Sequence, residues 1–286
     1  MNAANSSSTL PAEVTKWLHS AADAGHTSES LLQQLISSGW PEALATETLQ
    51  GILPGGPVSL ITRNPAATSP RLPEPDISPL RPFVSTGDRE VRILLTVGIP
   101  RIVLLGDLLS VQECEALIDL AQNRLDRSRI VDRVTCAESV HSARTSFGMF
   151  FTRGENELIS RIETRIASLV NWPVENGEGL QLLRYGPGEE YLPHHDYFTP
   201  GEPATSAILK IGGQRVASLI MYLNTPEKGG GTLFSDIGLE VTPQIGQAVF
   251  FSYLAHPLSK SLHSGAPVIA GEKWIATKWL REQAYQ

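Results

Sequence analysis

Cysteine is almost absent from this chain: Cys114 and Cys136 are the only two in 286 residues. Two thiols cannot build a disulfide framework, so the fold is expected to rely on its own core in a reducing compartment. Long apolar runs are missing too, and none reaches the length needed to span a bilayer. The stretch Met1–Thr15 is polar where a secretory leader would carry an apolar core. Positive charge is in short supply, with 23 Lys and Arg against 30 Asp and Glu and a formal net charge of −7. That balance argues against the clustered basic surface that nucleic acid or an anionic membrane requires. The expectation is a cytoplasmic protein with neither as a partner. At 41% hydrophobic, the chain can still bury one sizeable core and a small second domain.

Residues 12 to 52 read as short helices. Leu31, Leu32, Leu35 and Ile36 share one helical face, with Thr27 as N-cap and Gly39 as terminator. Pro41 suits the first turn of a further helix carrying Leu44, Thr48 and Leu49. Trp17 and Trp40 would anchor this small core, and residues 1–53 form an all-α module. Such a module is marginal alone, so it is expected to dock on the main domain, on a twin chain in a homodimer, or on a partner protein. Eight of the twenty prolines (Pro54, Pro57, Pro65, Pro70, Pro73, Pro75, Pro79 and Pro82) follow closely. They mark residues 54–90 as a linker.

From Val91 to the C-terminus the pattern changes. Strands are expected at Ile93–Val97 and Ile102–Leu105. A helix capped by Ser110 follows over Val111–Arg124, and another over Glu155–Leu169. After Gly179 nearly everything reads as strand: Leu180–Tyr185, Glu190–Asp196, Val216–Leu223, Leu233–Phe234, Ala248–Ser252, Ser261–Ile269 and Lys273–Leu280. Helices followed by many short strands define an α+β fold, a jelly-roll double sheet flanked by helices.

Within these strands lies His194-x-Asp196. Residues two apart in a strand share a face, so His194 and Asp196 point together while His195 points away. Two histidines and a carboxylate are the protein's half of a non-haem iron(II) site with open positions. His256 and His263 compete for the third place. If the last hairpin turns through Ala270–Gly271–Glu272, His263 pairs with Trp279 and Lys273 with Ile269, all on one face. That register favours His263 and brings in Lys273, a buried cation able to meet the far carboxylate of a dicarboxylate co-substrate. A structural ion pair with an internal acid is the alternative for Lys273.

At this point the chain resembles the prolyl 4-hydroxylases. The resemblance is carried by Leu180–Phe198 (LQLLRYGPGEEYLPHHDYF), Gly229–Phe234 (GGGTLF) and the end from His263 to Leu280. It implies a double-stranded β-helix over roughly residues 91–286. It also implies an activity dependent on Fe(II), 2-oxoglutarate and O2, with ascorbate as a further candidate. By the same resemblance His194, Asp196 and His263 are the catalytic metal ligands. Lys273 and Tyr185 hold the distal carboxylate of 2-oxoglutarate, Trp279 lines the site, and Arg144 faces the substrate. The implied reaction hydroxylates proline in a peptide or protein and releases succinate and CO2. Two alternatives stay open: a hydroxylase of a free amino acid or small molecule, and a non-catalytic metal-binding interaction or sensor protein. Val134–Ala143 and Thr199–Gly213 are expected as loops over the mouth.

Overall fold

The structure, a computed structural model, describes residues 12–37, 40, 42–52, 72–77, 82–127, 129–131, 138–140, 145–200, 205–254 and 259–285. The N-terminal part contains α1 (Ala12–Asp23), α2 (Ser28–Ser37) and α3 (Glu42–Ile52). Strands β1 (Phe83–Ser85), β2 (Glu90–Val97) and β3 (Arg101–Gly106) lead to α4 (Val111–Ala121). Then come β4 (Asp126–Arg127), β5 (Arg129–Val131), β6 (Glu138–Val140), β7 (Phe147–Phe151) and α5 (Glu157–Leu169). The site region holds β8 (Leu180–Tyr185), β9 (Tyr191–His194), α6 (Thr205–Leu209), β10 (Arg215–Tyr222) and β11 (Lys228–Gly229). The remainder is β12 (Thr232–Phe234), β13 (Leu239–Val241), β14 (Ala248–Ser252), β15 (His263–Gly265), β16 (Val268–Ala270) and β17 (Lys273–Arg281).

The chain divides into two compact units, one comprising Met1–Arg71 with His256–Ser259 and the other Leu72–Ala255 with Lys260–Gln286. In the first, Val14, Leu18, Leu31, Leu35, Ala45 and Leu49 pack together, with Trp17 and Trp40 against them. Thr27 does cap α2, its Oγ1 accepting from Ser30 N at 3.2 Å. Gly39 and Pro41 lie outside the described residues.

The second unit is built on two antiparallel sheets. The larger runs β1-β2-β3-β14-β10-β17-β8-β7-β4 and the smaller β13-β12-β15-β9. Period-2 alternation gives the large sheet two apolar faces. Leu180, Leu182, Leu219, Met221, Phe250, Ala276 and Leu280 join Cys114, Leu117, Ile159, Ile162 and Ile166 of α4 and α5 in one core. Leu183, Tyr185, Ile220, Tyr222, Val249, Phe251 and Ile275 meet Phe234 and Val241 of the small sheet in the other. The helices therefore buttress one face, and the functional residues described below occupy the other.

Ser110 begins α4 with a reciprocal capping box to Glu113. The same Glu113 takes a forked bond from buried Arg165 of α5 (2.8 and 2.9 Å), and Arg165 also reaches Asp88 beside β1. The end of the proline-rich stretch is not a free spacer. Pro73 and Pro75 are buried, Glu74 N bonds Val170 O at 2.9 Å, and Glu74 pairs with Arg101.

Three local expectations change. Ser261–Ile269 is not one strand but two, β15 and β16, which pair in different sheets. Phe147–Phe151 forms β7, which alternation did not flag because aromatics stand on both of its faces. Thr199–Gly213 contains the helical turn α6 instead of being loop throughout.

Candidate active site

His194 ends β9, Asp196 lies two residues beyond it, and His263 opens β15. The two strands are antiparallel neighbours with His194 directly opposite His263. This pairing, not the expected one, brings His263 to the site. The hairpin matching His263 with Trp279 and Lys273 with Ile269 does not form. After Gly271, at φ +73°, β17 leaves for the large sheet and inserts between β10 and β8. All nine residues of β17 are buried, and a strand buried on both faces needs a central place with partners on both edges. His256 and Arg144 lie outside the described residues, as does most of Val134–Ala143.

The donor atoms of His194, Asp196 and His263 all lie within 4.8 Å of one another, and among the described residues they form the one group of this kind. His194 Nε2 is 3.5 Å from Asp196 Oδ1, and His263 Nε2 is 3.7 Å from Oδ2. The other nitrogen of each ring is engaged elsewhere: His194 Nδ1 with Leu192 O at 2.8 Å and His263 Nδ1 with Ser261 O at 3.0 Å. A carbonyl only accepts, so Nδ1 carries the proton in both rings and Nε2 offers its lone pair to the shared centre. Burial pushes the His263 imidazole down to about 4, which keeps it neutral near pH 7. Burial opposes ionisation of Asp196, but His263, His194 and Arg215 outweigh it and hold the carboxyl well below its usual range. Two imidazoles and one carboxylate, preset around a common point, fit a divalent iron centre.

Lys273 faces Tyr185 across the β17–β8 ladder, with Nζ 5.5 Å from the phenol ring centre. It is 3% exposed, and burial alone pushes its ammonium down to about 8. No acidic side chain among the described residues pairs with it, so the structural ion pair considered above is absent. A buried amine without a counter-charge is costly and is suited to a ligand that brings one. Gly230, at φ +74°, lies against its stem, where a Cβ would stand 3.1 Å from Lys273 Cδ. Gly230→Ala is expected to raise the KM for 2-oxoglutarate about tenfold through backbone strain and displacement of the lysine. Initial rates at varied 2-oxoglutarate would show it, and an unchanged KM would refute it.

Around the triad, sequence reasoning reaches Ser218 only as a contact of the co-substrate and misses Arg215, Glu178 and Gln214 altogether. Ser218 Oγ donates to Asp196 Oδ2 at 2.5 Å and bonds Tyr253 Oη at 2.9 Å. Arg215 forks onto Glu178 (2.7 and 2.8 Å), donates to Asp196 O at 3.3 Å, and stacks 3.9 Å from the Trp279 ring centre. Trp279 is thereby fixed on the face of β17 that Lys273 shares, opposite Ser218 in the ladder. Gln214 clamps both backbone groups of Phe198 at 2.8 Å. One signal was available for Ser218: a small polar residue on the inward parity of a strand otherwise filled by Ile220 and Tyr222.

A helix-buttressed double sheet with a His-Asp-His cluster and a buried lysine on its inner face defines the class of iron- and 2-oxoglutarate-dependent oxygenases. Residues 180–281 match the 2OG-Fe(II) oxygenase superfamily. Prolyl 4-hydroxylase 1 of Arabidopsis thaliana is 42% identical over 203 residues, covering 65% of this chain and 70% of that protein. Probable prolyl 4-hydroxylase 7 of the same plant is 36% identical over 225 residues, covering 71% and 69%. A solved structure, the viral collagen prolyl hydroxylase vCPH of Paramecium Bursaria Chlorella virus-1 in complex with 2OG, shares 29% identity at a TM-score of 0.50. That alignment covers 63% of this chain and 95% of that one. This chain belongs to the prolyl 4-hydroxylase family of 2OG-Fe(II) oxygenases. It is an oxidoreductase whose cofactor is Fe(II) and whose co-substrates are 2-oxoglutarate and O2.

Proposed function

We propose that this enzyme hydroxylates prolyl residues in a peptide or protein. His194, Asp196 and His263 hold the iron, Lys273 and Tyr185 receive the distal carboxylate of 2-oxoglutarate, and Trp279 walls the site. The observation that carries the reading is Lys273, a buried cation that pairs with no anion among the described residues and reaches across to the small sheet that carries His194 and His263. Iron held by these three residues would let dioxygen act as the oxidant, with one oxygen atom passing into the substrate C–H bond and the other into succinate as 2-oxoglutarate loses CO2. The chain's own part is placement. Nδ1–H bonds to backbone carbonyls hold both imidazoles in the ligating tautomer, Arg215 fixes the Trp279 ring, and the apolar residues of the two sheets exclude water.

Proline as the target is supported by the relatives, and a peptide in place of free proline by the collagen hydroxylase among them. Arg144 belongs to the same reading as a substrate-facing residue. Its neighbour Thr145 is held beside β9 by reciprocal bonds with Glu190, N to O at 3.2 Å and Oγ1 from Glu190 N at 2.8 Å. We assign residues 1–53 to a helical module that pairs chains or recruits a partner, 54–90 to the connection and 91–286 to the oxygenase domain, with the connection packing as part of that domain from Leu72 onward. The cytoplasm as location fits the scarcity of cysteine and the buried thiol of Cys114; among the described residues no helix is long and apolar enough to cross a membrane. Ascorbate remains part of the proposal as an auxiliary.

The test is mass spectrometry of proline-rich peptides incubated with the full chain, Fe(II) and 2-oxoglutarate, with succinate measured in parallel. Gain of one oxygen on proline, matched by succinate, is expected. Succinate coupled only to free amino acids would transfer the assignment to the small-molecule alternative.

A further inference from the structure

We propose that Ser218 and Tyr253 act as a positioning pair that reserves Oδ2 of Asp196, so that the cation is met by Oδ1 alone. The proposal rests on the reading of Asp196 as a metal ligand.

Ser218 is fully buried in the middle of β10, between Phe251 of β14 and Trp279 of β17. Tyr253, just past the end of β14, is 2% exposed. Its backbone N–H bonds Val216 O at 3.0 Å, and its ring packs 5.8 Å from that of Phe251. The Tyr253 hydroxyl is therefore delivered to Ser218 by backbone pairing and ring packing, with little freedom of its own.

Proton direction along this line has one solution. An ionised carboxylate only accepts, so the Ser218 O–H donates to Oδ2 across 2.5 Å. That donation leaves the Ser218 oxygen as an acceptor, and the Tyr253 O–H fills it across 2.9 Å. A charge-assisted O–H bond backed by a second donor is among the stronger polar contacts a buried carboxylate can have. It is the only hydroxyl bond to Asp196 among the described residues, and it falls on one oxygen only. Rotation of the carboxylate to engage a cation through both oxygens would break it. It would also occupy a coordination position that the co-substrate and dioxygen need. Neither hydroxyl is itself a ligand; both act through Asp196.

The test uses the full chain, stripped of metal by a chelator and titrated anaerobically with Co(II), whose visible spectrum reports coordination. Ser218→Ala is expected to weaken Co(II) binding about 10- to 100-fold and to alter the spectrum. Tyr253→Phe should shift both readouts in the same direction by less. The double variant should be no worse than Ser218→Ala alone, because the phenol works through the serine. A purely structural role would lower the melting temperature of the apoprotein and leave Co(II) affinity and spectrum at their parental values; that result overturns the proposal. Should Ser218→Ala fail to fold, Tyr253→Phe, which removes a single oxygen, decides by the same criterion. Asp196→Ala is the control for the underlying reading. If it loses Co(II) while Ser218→Ala does not weaken it, the positioning pair is wrong and the site stands. If it keeps full affinity, the site assignment itself falls.

Discussion

His194→Ala is expected to reduce iron-dependent succinate formation to the level of a metal-free control. The reason lies in how little the site has to spare. Its three donors lie within 4.8 Å of one another, and no fourth His, Cys, Asp or Glu among the described residues belongs to the cluster. His195 cannot substitute, since its ring is stacked at 4.7 Å on Tyr197. Loss of one imidazole leaves one neutral nitrogen and one carboxylate for a metal that needs a preset face of ligands. The variant should fold, because His194 is partly exposed and its removal leaves no large cavity. Anaerobic Fe(II) titration alongside turnover checks the cause. Full activity in a folded His194→Ala protein would falsify the ligand assignment.

Lys273→Met should have two opposite effects. Without the ammonium, the distal carboxylate of 2-oxoglutarate enters an apolar pocket unpaired. Truncating one partner of a buried charge pair costs about 2–5 kcal/mol, roughly 30- to 5,000-fold in affinity. Turnover should therefore need far more 2-oxoglutarate, and binding to the metal-loaded protein should weaken in parallel. The apoprotein, by contrast, should become more stable. In the unfolded chain this lysine titrates near about 10.4, whereas burial pushes it down to about 8 in the fold. Below pH 8 the folded protein bears the full cost of a buried charge, on the order of 3 kcal/mol. That cost is relieved as pH rises from about 8 towards 10.4, because there the unfolded chain binds the extra proton. Methionine removes the cost at every pH. Denaturant melts of both apoproteins from pH 7 to pH 10 should show the gap largest at pH 7 and closing upward. A destabilised Lys273→Met at pH 7 would show that the amine has a partner after all.

The candidate site was legible where chemistry is written locally. His194-x-Asp196 could be read from strand parity, although Asp196 in fact lies beyond the strand end, where the chain has begun to turn. His263 was preferred through a hairpin that does not exist, and reaches the triad by pairing with β9 instead. Side-chain alternation was right while the partner strand was wrong: periodicity reports which face a residue occupies and says nothing of which strand lies beside it. Lys273 stood out because an inward lysine in an apolar strand needs a reason. Glu178, Arg215 and Tyr253 could not be found this way. Each gains its meaning from a contact made across strands remote in sequence, and each alone is an unremarkable residue type. Lys278 shows the limit from the other side: equally buried on the same strand, it is consumed by Glu163 and faces the helices.

One feature of the architecture bears on selectivity. His194, Asp196 and His263 belong to the small sheet and the loop leaving it, whereas Lys273 and Tyr185 belong to the large one. The Lys273 stem crosses the space between the sheets, and its Nζ comes within 3.9 Å of where a Cβ would stand on Gly265 of β15, two residues past His263. The distance from the His-Asp-His cluster to the ammonium is thus set by the length of a lysine stem, and a longer or shorter cationic side chain at this position would reset it.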